Sequence, residues 1–255
     1  MKKVIAFIGS PRKHSTYQAL QEFEQQLKKN LDIDFEYVFL KDYRLERCRG
    51  CLRCFDDGEE KCPLQDDRDL LIEKMDAAHG VIFATPNYSF HVSALMKTYI
   101  DRLAFIFHRP RFFGKVSTAL VAQGIYGGNT TRKYLENISA NWGFRPVKGC
   151  VLTAREPRTE KAQQRISRDI RKAATRFTKA LDRDQLTSPS FYRLMMFRFQ
   201  RSGMKGLQDN NYKDYRYFKE QGWFDSDYFY PVSMGVFKKL AGSLFDHLGR
   251  RLFQQ

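Results

Sequence analysis

No run of eighteen apolar residues occurs in the 255-residue chain, so nothing in it reads as a membrane-spanning helix. The G-x-x-x-x-G-K-[ST] loop of nucleoside triphosphatases is missing, and so is the G-x-G-x-x-G fingerprint of ordinary dinucleotide folds. There is no zinc-finger, RRM or helix-turn-helix signature. A secretory leader is not evident either. The basic start Met1-Lys2-Lys3 leads through a short apolar stretch into Gly9-Ser10-Pro11-Arg12, without a long apolar region or a small-residue cleavage site. A cytoplasmic location is the resulting expectation.

Acidic residues are few: 29 Asp and Glu face 44 Lys and Arg, for a net charge of +15. That balance fits attraction to phosphorylated cofactors or anionic lipid, or simply a solvated basic surface. Without a matching motif, nucleic acid is not an expected partner. Cysteine is also scarce, yet four of the five, Cys48, Cys51, Cys54 and Cys62, share one short loop. The pattern is C-x2-C-x2-C-x7-C-P. In a reducing compartment such clustering argues for metal binding over disulfides. Three readings stay open: a [4Fe-4S] cluster, structural zinc, or a metal-free loop of reduced thiols. Cys150 lies in an apolar strand pattern and reads as a small buried hydrophobe.

Through residue 185 the chain alternates strand-like and helix-like segments. Lys3 to Ile8, Phe35 to Leu40, Val81 to Ala84, Val116 to Ala122 and Gly149 to Thr153 read as strands. Apolar residues at helical spacing fill the intervals, for example Leu20, Phe23, Leu27 and Leu31. Ser15 or Thr16 is expected to cap the first helix, Asp66 or Asp67 the second, and Gly80 to end that second helix. Five repeats of strand and helix predict an α/β fold, a doubly wound five-stranded parallel sheet in the flavodoxin-like order. The boundaries are a domain over 1–185 and an extension over 186–255.

The extension is aromatic-rich and shows no such alternation, and is expected to be mainly helical or irregular. Phe237, Leu240, Leu244, Leu248 and Leu252 make one apolar stripe in a basic segment. It fits packing on its own domain or on a partner subunit, with membrane-surface contact as the sharper alternative.

In a doubly wound sheet, ligands bind beyond the C-terminal strand ends. Three loops end strands there. Gly9 to Thr16 offers hydroxyls, cations and a helix N-terminus, the ingredients of a phosphate site. Thr85-Pro86-Asn87-Tyr88-Ser89 supplies an aromatic edge and backbone groups. Gln123-Gly124-Ile125-Tyr126-Gly127-Gly128-Asn129 lets backbone approach a flat ring. Together they suit flavin mononucleotide.

Gly9-Ser10-Pro11-Arg12, Thr85-Pro86-Asn87-Tyr88 and Ser93 to Arg102 resemble the NADPH-dependent FMN reductase family of flavodoxin-like proteins. The cysteine loop with Asp66-Asp67 resembles its iron–sulfur flavoprotein branch, in which the motif binds a [4Fe-4S] cluster. The resemblance covers about residues 1 to 182. It implies FMN phosphate at Ser10, Arg12, Ser15 and Thr16, and a flavin ring flanked by Pro86, Asn87, Tyr88, Gly124 and Gly127. Ser89 and Tyr126 complete the two ring loops.

The resulting expectation is an oxidoreductase taking electrons from NAD(P)H through FMN to a small acceptor or a cluster. The cofactor carries the chemistry, so no catalytic side chain is assigned. An electron carrier serving redox-protein partners and a non-redox binding module are the alternatives. A homodimer or homotetramer is expected from the family.

Overall fold

The computed structural model describes residues 1–183, 186–207 and 211–253. It divides into two compact units: Met1–Arg49, Asp66–Ala104 and Pro110–Asp184 in one, Gly50–Gln65, Phe105–Arg109 and Gln185–Gln255 in the other.

In the first unit the elements run β1 (Lys2–Ile8), α1 (Ser15–Lys28) and β2 (Ile33–Phe39), then, after the one-turn α2 (Arg53–Asp56) that belongs to the second unit, α3 (Arg68–Ala77), β3 (Gly80–Pro86) and α4 (Ala94–Arg102). They continue with β4 (Val116–Gln123), α5 (Gly128–Asn141), β5 (Arg145–Pro146), β6 (Cys150–Thr153) and α6 (Glu160–Leu181). All pairings are parallel, in the order β2-β1-β3-β4-β5, with β6 also on β4. The expected fifth strand is thus an interrupted edge. Arg145 and Pro146 pair with Val116 and Ser117, and Cys150–Thr153 pair with Leu120–Gln123. Between them Thr118 Oγ1 donates to Val147 O (3.1 Å), and Glu136 accepts from Gly149 N (2.8 Å).

Burial explains the strands. Val4 to Ile8 and all seven residues of β3 are buried, the continuous apolar run that a sheet covered on both faces demands. On one face α1 and α6 contribute Leu20, Phe23, Ile170 and Phe177, with the Phe23 and Phe177 rings 5.9 Å apart.

Three capping expectations are corrected. The α1 cap position is His14, whose side chain makes no cap bond; Ser15 and Thr16 already lie inside the helix. Asp67 precedes α3 without capping it. Both aspartates clamp the base of the cysteine loop instead. Asp66, buried with Arg102, accepts from that guanidinium at 2.9 and 3.0 Å and from Glu46 N at 2.9 Å. Asp67 accepts from Arg44 N at 2.7 Å. Gly80 does not end a helix; it opens β3, where a Cβ would meet Phe177 Cζ at 2.7 Å.

The second unit holds α7 (Phe191–Leu207), α8 (Lys213–Glu220) and α9 (Val236–Phe253). It also takes in Gly50–Gln65 and Phe105–Arg109, which the sequence boundary assigned to the first domain. The reason is a buried polar cluster. Asp214 of α8 accepts from Arg109 and pairs with His108, while Arg109 also donates to Cys54 O (2.7 Å) and Glu59 (2.8 Å). The aromatics form this unit's own core: Trp223 packs on Phe218 and Phe229, and Phe229 on Phe197. Against α7, helix α9 turns its glycines inward; a Cβ on Gly249 would meet Ser202 Oγ at 2.6 Å. Its stripe faces outward, with Phe237 82%, Leu240 63% and Leu252 63% exposed. No helix among the described residues is long and apolar enough to cross a membrane.

Candidate functional site

Strands β1, β3 and β4 are neighbours in the sheet, so the loops leaving their C-terminal ends share one edge. The first loop carries no carboxylate, and α1 has no side-chain cap and no acidic residue in its first turn. The unspent N–H groups and the positive end of the helix dipole therefore remain open to an anion. Ser10 folds the turn: its Oγ donates to Arg12 O (2.8 Å) and accepts from Arg12 N (3.3 Å). Arg12 is exposed. Lys13 is drawn over the rings of Tyr17 and Phe39 at 5.9 and 5.3 Å. Thr16 is buried, so it serves the helix's packing side. Ser15 accepts from Arg158 Nη2 at 2.9 Å. That arginine, placed just before α6, adds a second guanidinium to the loop.

The second and third loops are stitched into one wall. Asn87 N donates to Ala122 O (2.7 Å) and Asn87 Nδ2 to Tyr126 O (3.1 Å). Buried Thr131 donates to Asn87 Oδ1 at 2.6 Å. Gln123 accepts from Gly128 N at 2.7 Å and donates to Ile125 O and Thr153 Oγ1. Pro86 is buried at the end of β3.

Tyr88 and His91 exchange backbone hydrogen bonds around Ser89 and Phe90, whose φ values are 48° and 64°. A two-residue hairpin turn needs positive φ at both positions, which glycine or asparagine usually provides. Here a bulky ring is held there at a strain of about 1–2 kcal/mol. It places Phe90 against Tyr126, centroids 5.1 Å apart. Gly127 (φ 92°) passes beneath; a Cβ there would meet Phe90 at 2.7 Å, while one on Gly124 would meet open space. Tyr88, Phe90, Ile125 and Tyr126 are 45–67% exposed, an apolar surface at this edge. His91 packs on Tyr134, whose phenol burial pushes above its ordinary range.

The edge thus pairs a cationic cradle, whose Arg158 also pairs with Glu156 at 2.8 Å, with an aromatic wall of open backbone. The residues fit a phosphorylated planar ring system such as FMN. Phe90, Thr131 and Arg158 were not legible as site residues. Ser-Phe carries no turn signature, and Arg158 stands 143 residues from Ser15 in sequence.

The cysteine quartet has the right donor chemistry for a cluster. Cys48 and Cys51 are exposed, Cys54 and Cys62 half-buried. Among the described residues no three His, Cys, Asp or Glu side chains are gathered as metal ligands. Cys150 is buried, which pushes its thiol up to about 12. In reduced, metal-free protein a thiol reagent is expected to modify four cysteines promptly and Cys150 only on unfolding. Five fast thiols would contradict this packing.

Three comparisons bear on the fold and the site. The sequence model described as NADPH-dependent FMN reductase matches residues 2–157. An iron–sulfur flavoprotein of Archaeoglobus fulgidus is 31% identical over 146 residues, 57% of this chain and 66% of its own length. One from Methanocaldococcus jannaschii is 37% identical over 100 residues, 39% of this chain and 51% of its own. The chain therefore spans between about half and two thirds of these relatives. Among solved structures, RosB with bound 8-demethyl-8-formylriboflavin-5′-phosphate superposes at TM-score 0.58 and 14% identity, over 92% of both chains.

Proposed function

Because the chain belongs to the NADPH-dependent FMN reductase family, we propose that it binds FMN across the three strand-end loops and acts as an NAD(P)H-dependent oxidoreductase. The observation that carries this reading is the uncapped, acid-free N-terminus of α1 on the same sheet edge as the Phe90–Tyr126 wall.

The chain's own residues do four things. The first-turn N–H groups of α1, with Arg12 and Arg158, hold the phosphate. Asn87, Thr131 and Gln123 fix the backbone of the two ring loops, so the wall is organised before any ligand arrives. Phe90 and Tyr126 exclude water from one side of the ring. The excess of cations at the edge, Arg12 and Lys13 beside an Arg158 shared with Glu156, favours negative charge on a bound cofactor. When bound, FMN supplies two-electron redox chemistry between a reduced nicotinamide and an acceptor.

A [4Fe-4S] cluster in the cysteine loop is supported by four closely spaced thiols and by relatives named iron–sulfur flavoproteins. The acceptor is a small molecule or a redox protein. Assembly as a homodimer or homotetramer is supported by the uncovered stripe of α9. That stripe's Lys239, Arg250 and Arg251 make an anionic membrane surface the competing occupant.

The test is anaerobic reduction of FMN-loaded protein by NADPH and by NADH, followed in the flavin visible band. Bleaching by one or both is expected. A bound flavin that neither reduces would leave a carrier, and no flavin binding would leave neither reading.

A further inference from the structure

Helix α9 carries its apolar side chains on the side that its own unit does not cover. All four of its leucines, Leu240, Leu244, Leu248 and Leu252, are exposed together with Phe237. The packed side is built from small residues instead. A Cβ on Gly242 would meet the Arg198 guanidinium at 3.2 Å, and one on Gly249 would meet Ser202 Oγ. A helix that only closes a core puts large apolar side chains on the covered face and charge in water. Here that order is inverted, which leaves one long apolar stripe for something else to cover.

The charges say what covers it. The only carboxylate in α9, Asp246, is turned inward, where it accepts from Arg198 at 2.7 Å and from Arg201. The outer face therefore holds cations and no anion. Lys239 and Arg250 are exposed, and neither has a carboxylate partner among the described residues. They fall about 20° apart around the helix and about 16 Å apart along it, one row at the edge of the leucine stripe. Arg251 adds a third exposed cation in the last turn. Long cationic side chains in such a row reach the phosphate level of a bilayer while their stems stay against apolar surface. Lys238, Lys239, Asp246, Arg250 and Arg251 make α9 too charged to cross the hydrocarbon, so the plane of the interface is the place that suits it.

We infer that α9 lies in the surface of an anionic phospholipid membrane, with its leucine stripe at the acyl boundary and Lys239 and Arg250 at the headgroup phosphates. Of the two occupants the stripe admits, a second copy of the helix is the poorer fit. An antiparallel pair meeting at its midpoint sets Lys239 of each helix beside Arg250 of the other, and a parallel pair sets each cation beside itself. Both arrangements bring like charges together at the rim of the contact, whereas a phosphate surface neutralises them. The assignment goes beyond the flavin site and does not depend on it.

The test is co-sedimentation of the full chain with vesicles of phosphatidylcholine alone and of phosphatidylcholine mixed with phosphatidylglycerol. Binding to the mixed vesicles should be about tenfold or more the stronger, and should weaken as salt is raised. Lys239→Gln with Arg250→Gln should weaken it about thirtyfold. Phe237→Ser with Leu244→Ser should weaken it about tenfold or more. All four positions are exposed, so far-UV circular dichroism and the thermal transition should stay those of the parent. Mixed vesicles left unbound would overturn the assignment. So would equal binding by the parent and the Phe237→Ser, Leu244→Ser variant, since that would be adsorption through cations elsewhere on a chain of net charge +15. A dimer in light scattering that the same variant splits, with no lipid binding, would give this face to a second copy.

Discussion

Replacing Arg12 and Arg158 together by alanine is expected to weaken FMN binding about a hundredfold or more while riboflavin binding hardly changes. Two charge-assisted hydrogen bonds to a phosphate are removed, each worth about 1.5 kcal/mol or more. Riboflavin has no phosphate, so it reports on the ring wall alone. Arg12 is exposed, so Arg12→Ala should leave the thermal transition unmoved, whereas Arg158 also donates to Gln163 and pairs with Glu156, so any loss of stability in the double variant should trace to Arg158→Ala. The single variants separate the two cations. Arg158→Ala also frees Ser15 Oγ, and Arg158→Lys should restore only part of the affinity, because lysine keeps the charge without the fork. Equal losses for FMN and riboflavin would mean that these arginines act on the fold rather than the phosphate.

The second large effect lies at the base of the cysteine loop. Burial opposes the charge on Asp66, but Arg102 and the N–H groups of Glu46 and Arg68 outweigh it and hold the carboxyl below its usual range. Asp66→Ala breaks a buried ion pair by removing the carboxylate that accepts two hydrogen bonds from Arg102, and is expected to cost about 3–5 kcal/mol. For a unit of this size that lowers Tm by roughly 6–20 °C.

The pH dependence follows from the direction of the shift. A carboxyl with a depressed folded pKa stabilises the protein fully above its unfolded value, near 3.9. That contribution fades as pH falls through the lower folded value. Acid unfolding of the parent should therefore steepen below about pH 4. Asp66→Asn, which cannot ionise, should be less stable at neutral pH and should lose less on acidification. Parallel pH profiles for parent and variant would remove Asp66 from the account.

What could be read beforehand divides along physical lines. Buried parallel strands appear as apolar runs, so β1, β3 and β4 and their strand-end loops were visible without coordinates. Strand β5 was not, since two residues carry no pattern. Caps failed for a different reason: Ser15, Thr16 and Asp67 have the right chemistry, but each is committed elsewhere, to packing or to Arg44 and Arg158.

Contacts between distant segments left no trace in the chain, as with Arg158 on Ser15 or Arg102 on Asp66. The stripe of α9 carries the sharpest lesson. Periodicity identified Phe237 to Leu252 correctly as one face, but it cannot say which face is covered. In the structure glycines make the packed side and leucines the open one.

The central claim is that the strand-end loops form one FMN site, with its phosphate held at the N-terminus of α1. Fluorescence titration of flavin-free protein with FMN and with riboflavin addresses it most directly. One FMN is expected to bind per chain, at least about a hundredfold more tightly than riboflavin. Equal affinity for the two flavins, or no saturable binding of FMN, would contradict it.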